Sequence, residues 1–159
     1  VRAQLFAPLQ LSATAGVTRR SYDAVAQPFA GWGLTFQPGD VARIGQFFGA
    51  GHGALDGRQL LDPRMLEAAL QRDRADSGLP VSGFRELRYH YGFWARNLRT
   101  ELGCAHDTWV PFMSGFAGNS VVLFPNGVVY FNFADDGQAA TYDWARAARE
   151  VRKLGEYCQ

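Results

Sequence analysis

Lysine is almost missing from this chain: Lys153 stands alone among 16 Lys and Arg residues, set against 15 acidic ones. A net charge of +1 gives no reason to expect nucleic acid or an acidic membrane surface as partner. Arg43, Arg58 and Arg146 are scattered as on a solvated exterior, with no phosphate-binding stripe. The scarcity of lysine also removes a catalytic pattern. S-x-x-K places a lysine one helical turn after a serine so that the amine can take its proton, and three positions before Lys153 stands Glu150. No apolar run approaches the roughly 18 residues of a membrane span, and no signal-peptide pattern is present. The nucleophile-elbow pattern G-x-S-x-G fails as well, because after Gly118-Asn119-Ser120 the last glycine is replaced by Val122. Gly49-Ala50-Gly51-His52-Gly53 lacks the G-x-G-x-x-G spacing and follows a helical pattern, so it reads as a helix stop. His52, His90 and His106 have no metal-ligand spacing, no C-x-x-C partner and no acidic cluster beside them. No metal and no cofactor are expected, and no repeat or low-complexity tract appears. The chain opens at Val1 with no initiator methionine, so it is expected to be a processed, truncated or excised piece of something longer.

What is present fits one domain. Hydrophobic content of 47% with 14% aromatics supports an ordinary core, and a chain of this size buries about 70% of its unfolded surface. Cys104 and Cys158 are compatible with one bridge, which would imply an exported protein; the alternative is two unrelated buried thiols. Val1, Leu5 and Phe6 suit a short helix that Pro8 ends. Ala30-Gly31-Trp32-Gly33-Leu34 reads as a loop pressing Trp32 onto the core. Asp40 is expected to cap a helix from Val41 to Gly49 with Val41, Ile44, Phe47 and Phe48 inward. Asp62-Pro63, a cap followed by an N1 proline, opens a second helix to about Arg72 with Met65, Leu66, Ala69 and Leu70 inward. Asp73 to Phe84 reads as a polar connection. From Tyr89 the period becomes two, and Tyr89, Tyr91, Phe93 and Ala95 alternate with His90, Gly92, Trp94 and Arg96 as in a strand covered on both faces. A last helix opens at Thr141 or Asp143 with Trp144, Ala147, Ala148, Val151 and Leu154 in one stripe, ended by Gly155. The class is α+β: a mostly helical region over 1–85, then antiparallel strands and a covering C-terminal helix over 86–159.

The most telling stretch runs from Trp109 to Asp136. It reads as an edge-forming strand, a Ser114-Gly115 step, a Gly118-Asn119 bend and a hairpin closed by Asn126-Gly127, whose residues accept the positive φ of a type I′ turn. Tyr130-Phe131-Asn132 imitates a Tyr-x-Asn catalytic motif but falls inside a strand, where it reads as sheet packing. His106, close in sequence to the strand bearing Ser114, is the best general-base candidate. No self-sufficient catalytic set is visible.

The order of these features resembles the C-terminal half of serine β-lactamase-like hydrolases, a family that includes class C β-lactamases, D-Ala-D-Ala carboxypeptidases and related esterases. Leu5-Phe6-Ala7-Pro8-Leu9 is similar to the segment after the family's second motif, and Gly39-Asp40-Val41-Ala42-Arg43-Ile44-Gly45-Gln46-Phe47 to its "D-L-A-R-F" helix. Leu60-Leu61-Asp62-Pro63 resembles its "rlLsp" step, and Tyr91-Gly92-Phe93-Trp94 its "Y-G-x-G-W" strand. Phe116-Ala117-Gly118-Asn119, Pro125-Asn126-Gly127 and the last helix complete a collinear match over most of the chain. The resemblance implies the C-terminal part of a β-lactamase/transpeptidase-like fold, periplasmic or secreted, acting on a small amide or ester substrate through an acyl-serine. It puts Met113-Ser114-Gly115 at the Lys-Thr-Gly or His-x-Gly motif, with Ser114 facing the substrate and the Phe116 N–H as one oxyanion donor. Met113 departs from that motif: a thioether replaces an ionisable residue, pointing to a neutral ester or amide or to lost activity. The S-x-x-K serine and the true Tyr-x-Asn are absent, so the chain alone is expected to be inactive. The alternative is a non-catalytic binding or assembly domain that keeps the penicillin-recognising fold. A fragment of this kind would leave a sheet edge and an apolar face open to the missing N-terminal part or to self-association.

Overall fold

A computed structural model of the chain describes residues 1–27, 33–115, 118–133, 143–156 and 158, save the side chains of 143–145. The expected Trp32 loop, Phe116 and the side chain of Trp144 fall outside that description. The chain folds as two compact units, Val1–Ile44 and Gly45–Gln159.

In the first unit a π-helical turn, Arg2–Phe6, gives way after Pro8 to a 3-10 turn, Ala13–Gly16, and Leu9 and Ala15 are buried. Helix α1, Pro38–Phe48, begins here, earlier than expected. Asp40 is not its cap. It sits in the first turn and reaches back, its carboxylate accepting from the Gln37 N–H at 2.9 Å and from Ser12 N and Oγ at 2.7 and 2.5 Å. Pro38 takes the first position because its missing N–H would have had no helical partner.

In the second unit, α1 ends in the glycine cluster as expected, with the Gly49, Gly51 and Gly53 N–H groups closing onto the carbonyls of its last turns. A two-residue Asp56-Gly57 turn at φ 50° and 75° then joins strands β1, Ala54–Leu55, and β2, Arg58–Gln59. Asp62 caps α2, Pro63–Ala69, accepting from Arg64 N and Met65 N at 2.9 and 3.2 Å. The helix is shorter than expected because Gln71 adopts φ 58°. Leu66, Ala69 and Leu70 face inward, but Met65 is 63% exposed, which corrects its place on the apolar face.

The rest is one antiparallel meander in chain order: β3 Leu79–Val81, β4 Phe84–His90, β5 Phe93–Asn97, β6 Trp109–Ser114, β7 Ser120–Leu123 and β8 Val129–Asn132. Strands therefore begin well before residue 86. The alternating segment expected as one strand from Tyr89 is a hairpin, turned at Tyr91-Gly92 with φ 42° and 89°. The Trp109 strand is central, not at an edge, lying between β5 and β7. A short helix α3, Arg99–Leu102, was not anticipated. It ends on Gly103 at φ 68°, the left-handed stop that glycine takes without penalty.

Strands β3 and β4 are mostly exposed, Leu79, Phe84 and Tyr89 among them, against the expectation of a strand covered on both faces. Both faces of the β5–β8 part of this sheet are covered. On one, Val110, Phe112, Val122 and Phe124 pack with Leu98 and Leu102 around α3 and with Ala148 and Val151 of α4, Asp143–Val151. On the other, Leu123, Val121, Val129 and Phe93 meet Leu66 and Leu70 of α2 and Phe48 from the end of α1. Leu154, expected in the α4 stripe, lies beyond the α-helical residues and is 70% exposed. The disulfide is formed: Cys104 and Cys158 have Cα atoms 5.3 Å apart across 54 residues of chain. It pins the tail after α4 to the loop before β6, so the alternative of two free thiols is discarded.

Candidate functional site

Strand alternation and register assemble a polar row at one end of the sheet. Ser114, the last residue of β6, pairs with Ser120 at the start of β7, and Ser120 pairs with Asn132 at the end of β8. Residues two apart on a strand share a face, so this row continues the ladder Trp94, Phe112, Val122 and Tyr130 that lies under α4. Ser114 is exposed, whereas Ser120 is buried and its hydroxyl has no hydrogen-bond partner among the described residues. A buried hydroxyl without a partner is uncommon in folded proteins.

Gly115 leaves β6 with its N–H donating to Asn119 O at 2.8 Å, which closes the loop to β7 over a few residues. The approach is close: a Cβ on Gly115 would come within 3.3 Å of the Asn119 Cβ, tighter than most such contacts. Met113 is half-buried and projects to the opposite face from Ser114, opposite Val121, in the layer over α2. The expected oxyanion donor, the Phe116 N–H, lies outside the described residues. The structure thus brings Ser114 together with Ser120 and Asn132, and separates Met113 from them.

His106 is not near Ser114. It is exposed, in the loop before β6, and the strand runs from Trp109 away from it for about 17 Å. The expectation that it acts as a base on Ser114 is withdrawn on that ground. Tyr130-Phe131-Asn132 does lie within β8, with Tyr130 packed on the core under α4. His90 has its Nε2 2.9 Å from Asp76 Oδ1, and His52 has its Nδ1 3.0 Å from Glu67 Oε1. No group of three or more His, Cys, Asp or Glu able to hold a metal occurs among the described residues. The polar row offers neutral donors and acceptors to a carbonyl, ester or carboxylate, with no charged side chain among its members.

Sequence reasoning did not find the pairing of Ser120 with Ser114. The only signal available was its position six residues after Ser114, and that becomes meaningful once the register is known. Nor did it find a second feature, a cleft at the other end of β6 where Arg72, Arg88 and Trp109 meet. These residues come from three separate segments, and each arginine taken singly looks like surface. No protein-family model matches the chain, and no curated protein matches it.

Proposed function

We propose that this chain forms the substrate-facing wall of a serine β-lactamase-like hydrolase whose acylated serine is supplied from outside these 159 residues. One observation carries the reading. Exposed Ser114 and buried Ser120, whose hydroxyl is unsatisfied among the described residues, sit side by side at the end of a central strand that a glycine loop terminates. This is a row of neutral polar groups, one of them without a partner among the described residues, in a chain without an S-x-x-K pair to act by itself. In this reading Ser114 orients the carbonyl or ester of a small amide or ester substrate, and the backbone after Gly115 supplies one donor to the developing oxyanion. The disulfide fits an oxidising compartment, periplasmic or extracellular, and no helix among the described residues is long and apolar enough to cross a membrane. The far side of β8 has no partner strand among the described residues, and that edge is where the remaining part of the enzyme, or a second copy, would add.

Met113 favours the second reading, a binding or assembly domain without chemistry, because a thioether stands where the motif carries an ionisable residue. Kinetics on the chain expressed together with its upstream coding sequence separates the two. The hydrolase reading expects turnover of p-nitrophenyl esters or nitrocefin. It expects Ser114→Ala to lower kcat/KM by about 10² while leaving the fold intact, the scale seen when one oriented donor is removed. Absence of turnover in the folded longer product, or an unchanged kcat/KM in the variant, contradicts it.

A further inference from the structure

A cleft of about 880 Å³ opens where the loop after α2, the Pro125–Gly127 turn and the start of β6 converge. That is ample for a small organic ligand. It lies at the opposite end of β6 from Ser114 and uses none of the residues of the polar row. Its charges are unevenly committed. Two acidic groups on its wall have a cationic partner: Glu67 pairs with His52 at 3.0 Å and Asp107 lies 3.9 Å from Arg99; Asp73 accepts only the Ala75 N–H, at 2.8 Å. The arginines on the wall have no acidic partner among the described residues. Arg72, half-buried, donates to the Gly49 carbonyl at 3.4 Å and has no carboxylate within ion-pair distance among the described residues. Burial lowers its pKa from the ordinary arginine value, and the Glu67 charge opposes that only in part. Arg88 has its Cζ over the Trp109 ring, 4.0 Å from the centroid, and no acidic partner among the described residues. Arg74 is exposed at the rim, likewise without one.

A guanidinium cannot shed its charge near neutral pH, so a desolvated one is stabilised by an anion. Two planar forks in one cleft suit the paired oxygens of a carboxylate or phosphate. The indole of Trp109 and the ring of Pro125 supply apolar wall beside them. We propose that this cleft binds a small organic oxyanion, with Arg72 and Arg88 holding its carboxylate or phosphate group and Trp109 and Pro125 covering its apolar body. The inference does not rest on the hydrolase reading.

The test is a titration of the ¹⁵N-labelled chain with sodium phosphate and, separately, sodium glutarate at constant ionic strength, with sodium chloride as the reference. Saturable shifts are expected at the Trp109 indole N–H and the Ala50 and Gly127 backbone N–H groups. Arg72→Gln and Arg88→Gln should each weaken binding by about tenfold, whereas Arg85→Gln, on β4 but outside the cleft, should leave it unchanged. Arg88→Gln and Arg74→Gln keep the question decidable if Arg72→Gln does not fold. Saturation by phosphate alone, or by glutarate alone, identifies which oxyanion the cleft takes. Shifts that never saturate, that chloride reproduces, or that persist in the folded arginine variants mean an adventitious ion only and overturn the proposal.

Discussion

Within the second unit, Gly45 is where a single atom decides a close contact. A Cβ built there would lie 2.5 Å from Val129 Cγ1 and 3.0 Å from Cγ2, so Gly45 faces Val129 of β8 with no room for a side chain as the two stand. Gly45→Ala is expected to destabilise the protein by about 1–3 kcal/mol, the usual cost of overpacking. Val129→Ala in the same chain should recover much of that loss, giving a coupling term of opposite sign in a urea-unfolding cycle. Stability of Gly45→Ala at or above the parent would contradict the packing. Asp40 makes a second residue-scale case. Burial works against its carboxylate, but Ser12 Oγ, the N–H groups of Ser12 and Gln37 and the charge of Arg43 outweigh it and hold the pKa below the ordinary carboxylate range. A group whose folded pKa is depressed stabilises above its unfolded value and loses that contribution as pH falls through the folded one. Asp40→Asn should therefore cost about 1–2 kcal/mol at neutral pH. The gap to the parent should close on acidification below about pH 4; a gap unchanged in acid would remove the carboxylate from the account. Asp40 was legible in the sequence as a helix-start residue, but not its position, because a cap and a residue reaching back from the first turn differ only by where the backbone begins to coil.

At the scale of elements, the turns are what the residue pattern conveyed least. The hairpin between β7 and β8 was expected from Asn126-Gly127, and it is there. Its turn is different: Gly127 N donates to Phe124 O at 3.0 Å, Phe124 N to Val128 O at 2.9 Å, and only Gly127, at φ 81°, is left-handed. Pro125, with φ near −65°, pre-sets the first turn position, which favours a type I turn with a glycine bulge over the tighter type I′. Gly127→Ala should accordingly cost about 1 kcal/mol through its left-handed backbone, measured as a lowered denaturation midpoint, and an unchanged midpoint would contradict that strain. The segment from Tyr89 shows why alternation alone misleads. Period two continues unbroken through a two-residue turn, yet the turn reverses which parity faces the core: Tyr89 packs on Trp94, ring centroids 4.9 Å apart, and not beside Phe93. A Tyr-Gly pair is a weaker turn signal than Asn-Gly or Asp-Gly, yet Tyr91 takes a positive φ here between two paired strands. Leu79–Val81 was hidden for a different reason: its Pro80 belongs to edge strands and its register is irregular, so neither periodicity nor propensity marks it.

At the scale of the whole molecule, the α+β order of helices, antiparallel strands and a covering helix was legible because hydrophobic periodicity changes where the elements change. The neighbourhood of Ser114 was legible only in part. Its strand could be read from composition, but its partners Ser120 and Asn132 depend on register across three strands, and the cleft of Arg72 and Arg88 depends on long-range folding. The bridge from Cys104 to Cys158 closes 54 residues of chain that include β6, β7, β8 and α4. Replacing both cysteines by serine should lower stability by about 4 kcal/mol in the chain-entropy account, measured by denaturant unfolding against the oxidised parent. A change near zero would mean that the packing of Ala148 and Val151 holds α4 in place unaided. The central claim is the proposed hydrolase reading, in which the acylated serine lies outside these 159 residues. The most direct measurement is site mapping of the covalent adduct, by intact mass and peptide sequencing, after a fluorophosphonate or a β-lactam is added to the chain alone and to the product that includes its upstream coding sequence. The account predicts no adduct on the chain alone and, on the longer product, one adduct at a serine followed three positions later by lysine. An adduct on any serine of these 159 residues, or none on the folded longer product, would contradict it.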